Sequence, residues 1–147
     1  MTHQRFCGAL FVAFVTAGLA ACEAKYKDVS GNHKHRDLIG RHCELLVSLR
    51  AHGVGVKYGL EKRTDYVSVW NPGVTGPEVT FVKFLPAGTK LQVVGARQCT
   101  NCPLERRLHY QISVTPEPPD FFGIPVLVRS ESFTQREVRC GSSKDAL

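Results

Sequence analysis

Hydrophobic and polar residues alternate along much of the chain beyond Cys43. In LHYQISV, residues 108–114, every second side chain is apolar, and CELLVSL, residues 43–49, shows the same pattern. VGVKYGL, residues 54–60, repeats it. A period of two is typical of a β-strand that buries one face, because successive side chains point to opposite sides of the sheet. The pattern therefore predicts strands, and almost no segment shows the period of an amphipathic helix.

Turn signals divide the rest of the chain into further short strands. YVSVW at residues 66–70 is β-branched and aromatic, and apolar segments follow at residues 79–84, 90–96, 124–128 and 133–138. NPGVTGPE, residues 71–78, and PEPPD, residues 116–120, supply the breaks. Some seven or eight strands of this kind predict an all-β fold, a small antiparallel barrel or sandwich. We find no internal repeat and no second domain.

One segment carries a likeness to a known fold. FLPAGTKLQVVG, residues 84–95, resembles the strand, turn and strand of SH3-like barrels in bacterial envelope proteins. The resemblance implies an SH3-like barrel. It implies no function, because none of the ligand residues of those domains can be matched here.

The amino end has the character of a secretory signal. From Phe6 to Cys22 there are 17 residues without a charge, fewer than the roughly 20 apolar residues that a membrane-spanning helix needs. The segment Leu19-Ala20-Ala21-Cys22 resembles the lipobox of bacterial lipoproteins, which implies cleavage before Cys22 and acylation of that cysteine. The alternative is an ordinary signal peptide, cleaved after Ala20 or Ala21, with Cys22 left for a disulfide.

The resemblance also bears on location and on domain limits. The residue directly after Cys22 is Glu23. In lipoproteins of this class an aspartate at that position favours retention at the inner membrane. The resemblance therefore favours the outer membrane, with the domain facing the periplasm. We expect a signal peptide at residues 1–21, a flexible polar tether at 22–37, one all-β domain at 38–142 and a tail at 143–147. A domain of that size buries only a modest core.

Four cysteines remain once Cys7 leaves with the signal and Cys22 is acylated: Cys43, Cys99, Cys102 and Cys140. An even number in an oxidising compartment predicts two disulfides, and three pairings are open. We favour Cys43 with Cys140, which joins the first predicted strand to the last, and Cys99 with Cys102, which closes the turn CTNC.

The net charge of the chain excludes fewer classes of binding partner than its expected location does. The net charge is +6, or +5 after Arg5 is removed with the signal. A basic surface suits anionic lipid head groups, lipopolysaccharide phosphates or an acidic protein, although it also serves solubility alone. The envelope location disfavours nucleic acid.

The sequence contains few of the residue patterns that catalysis, redox activity or metal binding require. CTNC has the CxxC spacing, but a redox cysteine needs a helix amino terminus that is not predicted here, and zinc would need Cys43 and Cys140 to converge as thiolates. His33, His35 and His42 are competent metal ligands, yet they lie in or beside the tether. No nucleophile motif occurs. We therefore expect no enzyme, no cofactor and no metal.

Two loops carry the binding candidates. Trp70 and Asn71 open the long loop at residues 71–78, and Phe121 and Phe122 follow the stiff segment PEPPD. Aromatic residues on rigid loops are typical of recognition sites. The alternative is that Trp70 and one of the two phenylalanines lie in the core, because a domain this small needs its large side chains inside. Arg106 and Arg107 could add a basic edge beside CTNC, or simply a solvated face.

Together these features predict a lipid-anchored envelope protein with a non-enzymatic binding or accessory role, recognising a protein or the cell wall. An inhibitor or immunity protein against a periplasmic enzyme or toxin is the alternative. A metal or redox carrier, or an envelope enzyme, is the less favoured third class.

Overall fold

The computed structural model describes residues 25–55, 57–58, 61–101 and 107–141, and only the backbone of 57–58 and 61–62. Two short helices are described, α1 at His33–Arg36 and α2 at Ser130–Thr134. The strands run in chain order as β1 Tyr26–Asp28, β2 His42–Leu45, β3 Leu49–Val54, β4 Lys57–Tyr58, β5 Glu61–Lys62, β6 Tyr66–Val69, β7 Val79–Leu85, β8 Lys90–Cys99, β9 Leu108–Thr115, β10 Val126–Arg129 and β11 Val138–Cys140.

Nine of these strands form one sheet, in the order β11-β2-β8-β9-β10-β6-β3-β7, with β1 added to β8. All neighbours are antiparallel except β10 and β6, which are parallel. The prediction of an all-β fold is confirmed. The sheet is open, since no pairing between β7 and β11 is seen among the described residues. The closed SH3-like barrel stays a prediction.

The core lies on one face of this sheet. Leu45, Leu49, Val67, Val69, Val93 and Val128 are each at most 1 % exposed, and all belong to a single cluster. The alternation in the sequence explains it, because β9 sends Tyr110, Ile112 and Val114 into the cluster. Val47, predicted on the same face as Leu45, is instead 42 % exposed because it lies in the turn between β2 and β3.

Strand β8 organises the sheet because it is ten residues long. Its first residues pair with β2, its last residues pair with β1, and β9 follows it on the other side. The register with β9 shifts between Val93 and Gly95. Such a bulge bends a strand and increases its twist, which allows β8 to serve different neighbours at its two ends.

The predicted disulfide between Cys43 and Cys140 is confirmed. The two residues face each other in β2 and β11, with a sulfur–sulfur distance of 2.02 Å and Cα atoms 3.9 Å apart. Cys99 is also disulfide-bonded. Its predicted partner Cys102 lies outside the described residues, so that pairing stays a prediction.

The flexible tether predicted for residues 22–37 needs correction from residue 25 onward. Strand β1 pairs with β8, the Lys25 N–H donates to Asn101 Oδ1 at 2.6 Å, and the Thr100 N–H donates to the Lys25 carbonyl at 2.8 Å. The segment is polar because two of the three residues of β1, Lys27 and Asp28, are exposed although the strand is paired. Asn32 caps α1 by accepting from the Lys34 N–H.

The last predicted strand, at residues 133–138, is also displaced. Residues 130–134 form α2, and β11 begins only at Val138. Phe133 nevertheless packs against the core, with its ring 4.9 Å from that of Tyr110. An apolar residue on a single helical turn cannot be told from one on a short strand by periodicity.

The predicted signal peptide at residues 1–21, the lipidation site Cys22 and the tail at 143–147 lie outside the described residues. Within the described ranges, no helix has the length and apolar character needed to cross a membrane.

Candidate functional site: a cationic row across the outer face

A row of residues crosses the outer face of the sheet at one level of register, and arginines alternate in it with rings. Arg50 in β3 is the register partner of Phe84 in β7, and the Trp70 N–H donates to the Arg50 carbonyl at 3.0 Å. Arg129 in β10 is the register partner of His109 in β9. We call this set, with Arg97 and Asp28, the cationic row; its members in order are Phe84, Arg50, Trp70, Arg129, His109, Arg97 and Asp28.

The period of two explains why these residues share a face. Their chain neighbours, such as Leu49, Val69 and Val128, enter the core on the other side. Six strands therefore each contribute one polar or aromatic residue at the same level, and a seventh residue comes from the position directly after β6. No linear motif produces the row, since it exists only through the pairing register.

Two arginines in the row lie over aromatic rings. The guanidinium carbon of Arg129 is 3.3 Å from the centre of the Trp70 ring, and that of Arg50 is 5.4 Å from the centre of the Phe84 ring. Cation–π contacts contribute about 0.5–1 kcal/mol when exposed and about 2 kcal/mol when shielded from water. They also restrict the orientation of the planar guanidinium.

At the other end of the row, Arg97 is already paired. Its Nε donates to Gln111 Oε1 at 3.0 Å, and its Nη1 lies 3.7 Å from Asp28 Oδ2. This end of the row is therefore neutralised within the protein.

Exposure rises along the row from His109 to Phe84. His109 is 5 % exposed, Trp70 and Arg129 are half-buried, and Phe84 is 62 % exposed. The ring of Tyr26 covers the closed end, with its centre 5.4 Å from that of His109. The row is thus closed over β9 and open at the edge strand β7.

The buried end holds a neutral histidine among arginines. Burial lowers the pKa of His109, and the nearby Arg129 lowers that pKa further, against a hydrogen bond to the backbone of Arg107 that raises it. Burial likewise raises the pKa of Tyr26 and that of Tyr66. Tyr26 and Tyr66 also hydrogen-bond to each other through their side chains.

His52 lies next to the row on the same face. It is 3 % exposed and is the register partner of Ser68 and Val82. Burial lowers its pKa, and Arg50 acts in the same direction. The loop at residues 71–78 covers it so closely that a Cβ at Gly73 would clash with the imidazole.

The predicted loop residues Trp70 and Asn71 have different roles. Trp70 lies in the row and outside the core cluster. The Asn71 side chain fixes the start of the loop by two hydrogen bonds. Its Oδ1 accepts from the Arg50 N–H at 3.2 Å, and its Nδ2 donates to the Ser48 carbonyl at 3.0 Å. Trp70 therefore remains a candidate for contact with a partner, whereas the Asn71 amide is already used.

The two phenylalanines divide between core and surface. Phe121 is fully buried, with its ring 6.1 Å from that of Phe81, whereas Phe122 is 81 % exposed. Asp120, just before them, pairs with Lys83 of β7 at 2.7 Å. Phe122 thus follows a turn that an ion pair joins to β7. Among the described residues no ring–ring or cation–π contact joins Phe122 to the cationic row.

Arg107 is half-buried, and its carbonyl accepts from the Cys99 N–H at 3.0 Å. It lies near His109 at the closed end of the row. Arg106 lies outside the described residues. The basic edge predicted beside CTNC is therefore described only through Arg107.

Metal chemistry has no assembled site in the described part of the chain, where no group of three or more His, Cys, Asp or Glu side chains could hold an ion. His35 instead contacts Tyr110, with its Nδ1 3.5 Å from the phenol oxygen. A shallow cavity of about 240 Å³ lies beside the Cys43–Cys140 disulfide. Glu44 and Lys90 on its wall pair with each other at 2.8 Å.

Comparison with protein-family models, with curated proteins and with solved structures found no match to this chain. The cationic row therefore has to be interpreted from its own geometry. Sequence reasoning singled out Trp70 but missed Arg50, Phe84, Arg129 and His109. Phe84 and His109 lie on predicted strands, and Arg50 and Arg129 directly follow predicted strands. Only the strand order of the sheet brings the four residues together.

Proposed function

We propose that this protein is a bacterial lipoprotein, acylated at Cys22, whose domain binds a partner in the cell envelope without catalysing a reaction. The lipobox-like segment Leu19-Ala20-Ala21-Cys22 supports the anchor. Multiple acyl chains hold a protein at a membrane far more firmly than one. Glu23 favours the outer membrane, with the domain facing the periplasm.

The observation that carries the binding role is the open end of the cationic row. Phe84 and Val82 are 62 % and 55 % exposed on an edge strand, and the guanidinium of Arg50 lies over the Phe84 ring. An exposed apolar surface beside an oriented cation is typical of a recognition site, since rings supply contact area and arginine selects anionic groups. The partner is a protein or the cell wall.

Site-specific cross-linking tests this function. The full chain is expressed in its envelope with p-benzoylphenylalanine in place of Phe84, and the matched control carries it in place of Val94, which is 46 % exposed on β8. We expect the Phe84 position to yield one defined adduct that the Val94 position does not. Equal yields at both positions, or none, would contradict a binding role for this end of the row.

Metabolic labelling with an alkyne palmitate tests the anchor separately. We expect incorporation into the natural chain and its loss in Cys22→Ala. An unlabelled chain that fractionates as a soluble periplasmic protein would overturn the anchor and leave the cross-linking result standing. A periplasmic enzyme captured in equal amount through Phe84 would specify the binding role as inhibition; recovery with purified sacculi would specify it as wall binding.

A further inference from the structure

We infer that the partner presents an extended, acidic segment of a protein, which adds to the free edge of β7 as a further strand and brings carboxylates to Arg50. This inference rests on the proposed binding role and names its mode. It draws on the direction of the main-chain groups in β7, on the exposed side chains and on the charge beside them.

The main-chain direction follows from the pairing of β3. The Trp70 N–H donates to the Arg50 carbonyl at 3.0 Å, and the Arg50 N–H donates to Asn71 Oδ1 at 3.2 Å. Both polar groups of Arg50 thus point toward β6. Because they alternate from residue to residue in an antiparallel pair, those of Ala51 point toward β7.

The same alternation then fixes the free edge. Ala51 is the register partner of Lys83, so the N–H and C=O of Lys83 point inward to β3. Those of Val82 and Phe84 consequently point outward. In the described part of the chain β7 pairs with β3 alone, and the outward groups can receive an added strand.

The usual protection of an edge strand is missing here. Edge strands are commonly guarded by a charged residue, most often lysine. β7 has one, Lys83, but its ammonium is bound to Asp120 at 2.7 Å on the core side of the strand. The side chains at the free edge are instead Val82 and Phe84, both more than half exposed.

Charge selects an acidic segment. The guanidinium carbon of Arg50 lies 5.4 Å from the centre of the Phe84 ring on the edge strand. Among the described residues Pro72 accepts one of its hydrogen bonds, at 3.4 Å. A guanidinium has five donors. Asp120, an acid that contacts β7, is paired with Lys83. A carboxylate on the added strand is therefore the complement that Arg50 fits.

A second copy of the chain fits the edge less well. Two β7 strands paired with each other would bring together two chains of net charge +5 after removal of the signal, each with Arg50 beside the seam. Like charges are unfavourable at that range, whereas an acidic segment is attracted.

Fluorescence anisotropy with defined peptides tests the mode. The full chain, purified in a nonionic detergent, is titrated with a labelled seven-residue peptide of alternating glutamate and valine. The two control peptides replace glutamate by lysine, or N-methylate the alternate amides that would face β7. We expect saturable binding of the acidic peptide and at least about tenfold weaker binding of both controls.

Variants of the protein separate the two contributions. Val82→Pro removes an outward N–H, a change that edge strands tolerate, and we expect it to weaken binding by about tenfold or more. Arg50→Gln removes the cation, with an expected loss of about three- to tenfold. Arg139→Gln removes the same charge from exposed β11 at the opposite edge and should change affinity by less than about twofold.

Amide hydrogen exchange distinguishes strand addition from electrostatic attraction, because attraction alone does not slow the exchange of particular backbone amides. On peptide binding the amides of Val82 and Phe84 should slow, while that of Lys83, already bonded to β3, should not. If the N-methylated peptide binds as well as the parent, or Val82→Pro binds normally, strand addition is overturned in favour of surface attraction.

Two other outcomes also overturn the inference. One is a chain that dimerises through β7, detected as a concentration-dependent mass that Val82→Pro abolishes. The other is the absence of binding by any of the peptides at millimolar concentration. Either result leaves palmitate labelling and envelope cross-linking at Phe84 to decide the proposed function independently.

Discussion

The Cys43–Cys140 disulfide allows a quantitative prediction about stability. Replacing both cysteines by alanine should lower the free energy of unfolding by about 4–5 kcal/mol. The bond spans a sequence separation of 97 residues, so it excludes nearly all the conformations that a free chain of that length could adopt. The logarithmic dependence on loop length gives about 4.7 kcal/mol at 25 °C for this separation.

The same bond also holds an edge strand. β11 is joined to β2 by three register pairs, and Val138 is the β11 residue buried in the core cluster with Cys43. Strands this short depend on their neighbours for stability. Without the cross-link, we therefore expect local opening of β11 to become easier, in addition to the entropic loss.

Urea unfolding followed by circular dichroism measures the effect, with Cys43→Ala, Cys140→Ala and the double variant compared to the natural chain. Each single variant already breaks the bond, so all three should lose the same free energy, within about 0.5 kcal/mol. Losses that add from the single variants to the double variant would show that the sulfur atoms act through packing. A loss below about 1 kcal/mol would refute the loop argument.

Three further predictions address the outer face and the core. Acidification should destabilise the protein: burial lowers the folded pKa of both His52 and His109 from 6.5, so below about pH 6.5 the unfolded chain binds more protons, and each histidine can cost up to about 1.4 kcal/mol per pH unit. The urea midpoint should fall less steeply between pH 7.5 and 5 in the His52→Gln, His109→Gln double variant than in the natural chain, whereas exposed His33→Gln should leave that pH dependence unchanged. A double variant with the same pH dependence as the natural chain would contradict this prediction. Phe121→Ala should lower the free energy of unfolding by about 3–5 kcal/mol in the same assay, because the side chain of Phe121 is fully buried. A loss under about 1 kcal/mol would mean that the surrounding side chains close the cavity. Gly73→Ala should lower the melting temperature, since φ is +102° and the new Cβ meets the ring of His52; a variant as stable as the natural chain would show that this loop moves freely.

Much of the fold could be predicted from the sequence because one face of the sheet is buried. The alternation at residues 108–114 identified β9, and the cysteine pair Cys43 and Cys140 was identified as a staple between early and late strands. Strand β1 could not be predicted, since Tyr26–Asp28 is polar and is held by the partner strand β8 rather than by its own pattern. Local propensity says little about a strand stabilised only by its neighbour.

The candidate site was harder to predict than the fold. Trp70 could be chosen because it is the single tryptophan, but Arg50 and Arg129 lie far from it in sequence and look like ordinary surface charges. Their meeting depends on β10 running parallel beside β6, a long-range pairing that no local pattern encodes. Phe121 and Phe122 show the opposite case, since adjacent aromatic residues cannot be assigned to core or surface without the turn geometry.

The docking of Lys25 on Thr100 and Asn101 would set how the domain is presented at a membrane if Cys22 is acylated as proposed. In a chain acylated at Cys22, only Glu23 and Ala24 separate the anchor from this fixed point, a reach of about 10 Å at full extension. The β1 and β8 side of the sheet then faces the lipid. β7 lies five strands further along, up to about 24 Å away at the usual spacing, so in such a chain its free edge would be held out from the bilayer.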